Sequence, residues 1–392
     1  MTRGTACRES ATFSALFDIL LPARFREVPT FRADLDSIKP YIPGRPIEEV
    51  AREIGIDPDS VVKLASNESP YGPFPGVVEA AAAALAESNR YPDNDLHDLA
   101  TALAKTVGAP TDHLWFGAGS TGLISAIATA VGGPGTSSVY AWPSFVMYRI
   151  VSRIAMTEPI EVPLTPDMAL DLEAMEAAVR NDTTLMYVCN PNNPTGRVVD
   201  TGSVERMIGS LPDRVLVVVD EAYHHYVDDP GYQTLIPVAL ETPNLVVLRT
   251  FSKIYGLATL RVGVAIGVPD TLAELRKTQA PFTVSQVAQV AATVSLGNDA
   301  ELARRIAANA AARFSLTDAL NERGIRVTGS ETNFVFARLG HGSFDIGQAF
   351  TEHGVIIRPI SGGWARITIG TPDENLHFLE ALDRIDFTTG RN

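Results

Sequence analysis

The chain has 392 residues, of which 45% are hydrophobic and 20% charged, and its formal net charge is −14. This length and composition allow a large core and two or three structural units, while the acidic balance and the lack of basic runs exclude a chain built to wrap nucleic acid or coat anionic lipid. Its two cysteines, Cys7 and Cys189, form no disulfide framework, and its seven histidines include no H-x-x-x-H spacing, so no metal site is expected.

The apolar stretch at 11–21 follows Glu9 and is broken by Asp18, which makes a poor signal peptide. Residues 1–30 therefore read as an N-terminal extension of unknown role. No segment reaches the roughly 18 apolar residues of a membrane span, so a soluble, cytoplasmic protein is expected. From about residue 95 helical and strand patterns alternate. DLHDLATALAKTVG is helical, HLWFGAG is a strand running into a glycine turn, and TGLISAIATAVGG is helical again. SSVYAW, TLMYVCN, RVLVVVDEAY, NLVVLRTFSK and LRVGVAIG follow as strands, with FVMYRIVSRIA and GSVERMIGSLP as helices between them. Continuous β-branched runs of this kind suit strands buried on both faces. The expected class is α/β, a mostly parallel sheet covered by helices over residues 82–285. After that the pattern changes to a long helix, ELARRIAANAAARFSLTDALNERG, and the short strands TNFVFARL, VIIRPI and ARITIG, with the amphipathic ENLHFLEALDRI near the end. Residues 286–392, joined by 31–81, read as a smaller α+β domain.

GAGSTG, Gly117–Gly122, matches G-x-G-x-x-G between a strand and a helix. A dinucleotide site also needs an acidic residue about 20 positions on, and none occurs between Gly122 and Glu158. The loop still suits a phosphate, because glycines let backbone N–H groups approach one at a helix N-terminus. Polar residues recur at the carboxyl ends of the strands: Ser120, then Ser144 and Phe145, Asn190–Gly196, Asp220 with Tyr223, and Ser252 with Lys253. Ligands of open α/β sheets bind at that edge. Lys253 is one of five lysines in the chain, and a lysine there can form a Schiff base with an aldehyde. An Asp ending a buried strand needs a cation, and a pyridinium nitrogen is one. Tyr223 and an Asn can bond a ring hydroxyl, Phe145 can stack on a ring, and Ser120, Ser252 and Arg261 can hold a phosphate. Singly, these residues read as a helix cap, a tight loop, a core Phe and a surface Arg. Their shared edge favours the ligand.

The motifs KPYIPG (Lys39–Gly44), VKLASNESPYGP (Val62–Pro73), RYPD (Arg90–Asp93), CNPNNPTG, VDEAY, RTFSKIYGLATLRVG and RITIGTPDEN carry a resemblance over residues 36–385. The chain resembles fold-type I aminotransferases that depend on pyridoxal 5'-phosphate, and among them the histidinol-phosphate aminotransferase family and its aromatic and phenylalanine relatives. The resemblance implies that Lys253 is the Schiff-base lysine and proton carrier, that Asp220 pairs with the ring nitrogen, and that Asn193 and Tyr223 bond the ring hydroxyl. It implies Phe145 on the ring, and Ala118, Gly119, Ser120, Ser252 and Arg261 around the phosphate. Tyr91 would reach the phosphate of a neighbouring subunit, making a homodimer. Arg366 would grip the substrate carboxylate, with Tyr41, Asn67 and Arg358 on the substrate side.

Two features depart from that family. Thr121 and Gly122 follow Ser120 where an acidic residue is frequent, and the loop SGGWA before RITIG is short. The expected reaction is ping-pong transamination with L-glutamate. The motif pattern leans to histidinol phosphate as partner substrate. An aromatic 2-oxo acid is the alternative, with Trp142, Phe145 and Trp364 as an apolar pocket. A threonine-phosphate decarboxylase-like lyase shares the motifs. A silent regulatory domain is disfavoured by the intact Lys253, Asp220 and Arg366.

Overall fold

The run Leu216–Asp220, LVVVD, offers no polar face to water and lies near the middle of a seven-stranded sheet. In this computed structural model, residues 30–340 and 345–386 are described, and the extension at 1–30 falls almost entirely outside them. The strands are β1 (Val62–Lys63), β2 (Leu114–Ala118), β3 (Ser137–Trp142), β4 (Glu158–Pro163), β5 (Thr183–Cys189) and β6 (Leu216–Asp220). They continue with β7 (Leu245–Thr250), β8 (Val262–Ile266), β9 (Phe334–Arg338), β10 (Val355–Ile356), β11 (Arg358–Pro359) and β12 (Trp364–Thr368).

The large sheet has the order β2-β8-β7-β6-β5-β3-β4. Its pairs are parallel except those made by β8, which runs antiparallel to β2 and β7. The reason is the connection between β7 and β8. It contains only turns and the 3-10 turn Ala258–Leu260, and a parallel return needs a longer crossover. Side-chain alternation divides the core. Val217 and Val219 pack on one face with Val188 and Val247, while Leu216 and Val218 pack on the other with Tyr187 and Leu248. The helix Gly119–Val131 starts where β2 ends and buries Leu123, Ile124 and Ile127 against the second face. β4 is an edge strand, where its prolines cost no ladder bonds that a central strand would need.

β9, β11 and β12 form a separate antiparallel sheet, and β1 pairs with β10 in parallel. Leu64 joins Val335, Ile367, Phe350 and Phe378 in a third cluster beside the helix Asp299–Glu322. Met1–Ile38 and Lys39–Asn392 separate as two units. Within the first, a 3-10 turn at Ala33–Ser37 is closed by Ser37 Oγ donating to the Asp34 carbonyl at 2.7 Å. No helix among the described residues is long and apolar enough to cross a membrane.

Candidate active site

β5 and β6 end level with one another, Cys189 opposite Asp220. Beyond their carboxyl ends lies a cavity of about 300 Å³. Tyr41, Asn67, Ser120, Phe145, Asn193, Asp220, Tyr223, Ser252, Lys253, Arg261 and Arg366 line it, so eleven of the residues singled out from sequence meet at one place. Among the described residues no group of three or more His, Cys, Asp or Glu side chains is placed to hold a metal.

Asp220 is only 3% exposed. Its Oδ2 accepts from the Tyr148 hydroxyl at 2.9 Å and its Oδ1 from the Ala222 N–H at 3.1 Å. Burial pushes its pKa up; the two donors, and Lys253 nearby, pull it back. Across the cavity, Lys253 Nζ is 3.4 Å from the Ser66 carbonyl and 5.8 Å from the Tyr223 ring centre. Burial, then the charges of Arg366 and Arg261, lower its pKa to about 8. At neutral pH this amine holds an appreciable unprotonated fraction, which an ordinary lysine does not.

Tyr223 follows β6 by three residues, and its hydroxyl accepts from Asn67 Nδ2 at 2.8 Å. Its own proton is therefore free to point into the cavity. Asn67 sits at φ 54 and is fixed by its N–H donating to Thr368 Oγ1 at 2.9 Å; a short polar side chain tolerates that left-handed backbone. Asn193 Oδ1 accepts from Arg366 Nη1 at 2.6 Å, which turns the amide so that its NH₂ can donate elsewhere. Arg366 Nη2 donates to the Ala65 carbonyl at 2.6 Å, and its buried Nε has no partner. Arg366 lines the cavity, and its guanidinium suits a carboxylate there.

The opposite end of the cavity is an anion cradle. Ser120 and Thr121 occupy the first turn of the helix Gly119–Val131 and line the cavity. Arg261 Nη1 donates to Ser252 Oγ at 3.3 Å and to the Ala258 carbonyl at 2.9 Å. Gly119 has φ +71, and a Cβ there would collide with the Arg261 guanidinium, so this glycine is required by both backbone and space. Its N–H donates to the Arg261 carbonyl at 3.0 Å, tying the two halves of the cradle together. Ala118, the last residue of β2, lies under this turn.

Four of the expected residues stand outside the lining: Ala118 and Gly119, which form the turn of the cradle, and Tyr91 and Arg358. Tyr91 is 83% exposed and stacks on Phe282 with ring centres 4.7 Å apart. Arg358 donates to the Ile42 carbonyl at 2.9 Å and lies 5.8 Å from the Tyr41 ring, at the segment that carries Tyr41. The apolar pocket expected from Trp142, Phe145 and Trp364 is corrected. Trp142 lies under the Arg149 guanidinium at 3.7 Å, and Trp364 stacks on Phe336 at 4.7 Å, so only Phe145 lines the cavity. Tyr148 escaped the sequence reading altogether, since FVMYRI has only the pattern of an amphipathic helix.

The parts fit pyridoxal phosphate by their chemistry: an amine of lowered pKa, a buried carboxylate opposite it, a free phenol proton, and a separate cradle for a phosphate. Comparison with known proteins agrees. The family model described as "Aminotransferase class I and II" matches residues 59–382. The chain is 44% identical over 354 residues to an aromatic amino acid aminotransferase of Thermobifida fusca, spanning 90% of this chain and 96% of that one. It is 42% identical over 355 residues to histidinol-phosphate aminotransferase 1 of Cupriavidus pinatubonensis, spanning 89% and 94%. The crystal structure of histidinol-phosphate aminotransferase from Sinorhizobium meliloti in complex with pyridoxal-5'-phosphate superposes with a TM-score of 0.82 at 26% identity, covering 91% of this chain and 98% of that one.

Proposed function

We propose that this chain, which belongs to the aminotransferase class I and II family and depends on pyridoxal phosphate, exchanges amino groups between an aromatic L-amino acid and 2-oxoglutarate. When bound, the cofactor supplies an aldehyde for an amine and a ring that accepts the electron pair left when a substrate Cα loses its proton. The remaining roles belong to the protein. Neutral Lys253 is the nucleophile and then the base that moves the Cα proton. Asp220 holds a proton on the ring nitrogen. The Tyr223 hydroxyl and the Asn193 amide, turned by Asn67 and Arg366 respectively, donate to the ring oxygen. Phe145 packs on the ring. Ser120, Ser252, Arg261 and the Ala118–Gly119 turn hold the phosphate, and Arg366 receives the substrate carboxylate. Residues 31–81 and 286–392 act as the smaller domain, closing the substrate side with Asn67 and Arg366.

The observation that carries the substrate choice is the inventory of charge. Three cations among the described residues line the cavity, Lys253, Arg261 and Arg366, and each already has a partner in this scheme. A second phosphate dianion, as in histidinol phosphate, would need a further one. Arg358 lies outside the lining, with its Nη1 donating to the Ile42 carbonyl at 2.9 Å, and Glu68, ion-paired with Lys63 at 3.3 Å, lines the same wall. Tyr41 suits an aromatic side chain. Several relatives named for aromatic amino acids, at 44%, 42% and 43% identity, support this reading. Histidinol phosphate is the second reading, favoured by the Cupriavidus relative and by the leaning of the motifs.

Stopped-flow absorbance of the cofactor-loaded enzyme separates them. Conversion of the cofactor band by both L-glutamate and L-phenylalanine, with little by L-histidinol phosphate, is expected. Conversion by glutamate and histidinol phosphate but not phenylalanine would replace the aromatic reading with the second. Inertness to all three would direct attention to the lyase, whose signature is carbon dioxide release without glutamate.

A further inference from the structure

We propose that Tyr148 is a positioning residue for the reaction: its phenol holds the Asp220 carboxylate aimed and ionised, and thereby keeps the proton on the ring nitrogen of the bound cofactor. This rests on the reading of Asp220 given above.

Tyr148 is wholly buried and donates to Asp220 Oδ2 at 2.9 Å. The other carboxylate oxygen is held by the Ala222 N–H at 3.1 Å, so each oxygen has one fixed donor and the carboxylate plane cannot turn freely. Tyr148 is itself immobilised. Its ring stacks on Tyr187 with centres 4.5 Å apart and planes at 11°, and meets Phe145 edge-on at 5.6 Å. Its backbone N–H donates to the Phe145 carbonyl at 3.0 Å. The turn that opens the helix Met147–Ile154 thus carries both the ring that faces the cavity and the phenol that reaches Asp220.

A donor to a desolvated carboxylate favours its ionised form. Without that donor the carboxylate becomes more basic, and a proton shared with a pyridine nitrogen shifts toward the oxygen. The neighbouring Tyr187 supplies a control. It is buried against the same ring, but its hydroxyl has no hydrogen-bond partner. Tyr187→Phe removes the same atom from the same stack without touching Asp220.

The test loads wild type, Tyr148→Phe, Tyr187→Phe and Asp220→Ala with ¹⁵N-labelled pyridoxal phosphate. It follows the ring-nitrogen resonance against pH and measures the cofactor dissociation constant by equilibrium dialysis. Tyr148→Phe should lower the fraction of ring nitrogen that is protonated at neutral pH, as the proton moves to Asp220, and weaken cofactor binding by roughly tenfold, the size of one hydrogen bond to a charged group. Tyr187→Phe should match wild type in both. Should Tyr148→Phe not fold, 3-fluorotyrosine placed at position 148, a stronger donor of nearly the same shape, should raise that fraction instead. If the fraction is unmoved by either change at position 148 while Asp220→Ala lowers it, Tyr148 is only core and the inference fails. If Asp220→Ala also leaves the fraction unmoved, the Asp220 reading fails first.

Discussion

A half-buried lysine facing two arginines has an unusual dependence on pH. The pKa of Lys253 is lowered from 10.5 to about 8, by burial first and then by Arg366 and Arg261. The folded, cofactor-free protein therefore binds fewer protons here than the unfolded chain between those two values. Its stability contribution is complete above the unfolded pKa and is lost as the pH falls through about 8. Lys253→Met removes the group that must be charged in the cavity. In urea denaturation the cofactor-free variant should be more stable than wild type at neutral pH. The gap should close as the pH rises from 8 toward 10.5. A gap that stays constant with pH would mean that the cavity does not desolvate the amine. The same variant should still bind pyridoxal phosphate, without the covalent link, and lose turnover by about a thousandfold or more.

At the scale of elements, the ends of β6 and β7 are clipped together behind the cavity. Glu221, directly after Asp220, accepts from Arg249 Nε at 2.8 Å, from Thr234 Oγ1 at 2.9 Å and from the Leu235 N–H at 2.8 Å. The Glu221 side chain is 1% exposed and that of Arg249 11%. Glu221→Ala leaves a buried guanidinium without its counter-charge, which costs about 3–5 kcal/mol. The double change Glu221→Leu with Arg249→Met should cost clearly less, because no charge is stranded. Chemical denaturation of the three proteins measures this, and equal losses would show that the clip acts through packing. These elements also show what is legible in a sequence. β2, β3 and β5 to β8 are apolar runs that fold as such wherever they are buried. β4, EPIEVP, carries two prolines and charges that only an edge position permits, and its residues alone do not announce a strand. The polar residues at strand ends were legible because they are close in sequence to those runs. Contacts between distant segments were not: Asn67 to Tyr223 spans 156 positions and Tyr148 to Asp220 spans 72. No local pattern encodes them. Trp142 and Trp364 misled for the converse reason, since an aromatic near a site in sequence still goes to whatever packs best against it.

At the scale of the whole molecule, Tyr91 is the residue that one chain leaves without a task. It is 83% exposed, and Phe282, on which it stacks, is 42% exposed. Val78 and Leu85, on the helix Val77–Leu85, are 61% and 58% exposed. Single exposed apolar residues need no explanation, but large ones paired in a stack call for a covering surface. The homodimer that the family resemblance implies would cover them and would give Tyr91 the phosphate of the neighbouring site. Sedimentation should therefore show twice the chain mass. Tyr91→Ala should weaken cofactor binding by several-fold if one hydrogen bond to phosphate is lost. Weaker binding alone would not say which site Tyr91 serves, but mixing variants does. Chains with Lys253→Met lack their own reactive amine and keep Tyr91; chains with Tyr91→Ala keep the amine. In a mixed dimer, a Tyr91 that crosses rebuilds one complete site from the two chains. Unfolding and refolding the two variants together should then restore full cofactor affinity and turnover in one site of each mixed dimer. If Tyr91 serves its own chain, every site in the mixture remains defective, and the activity of the mixture is the average of the two variants alone.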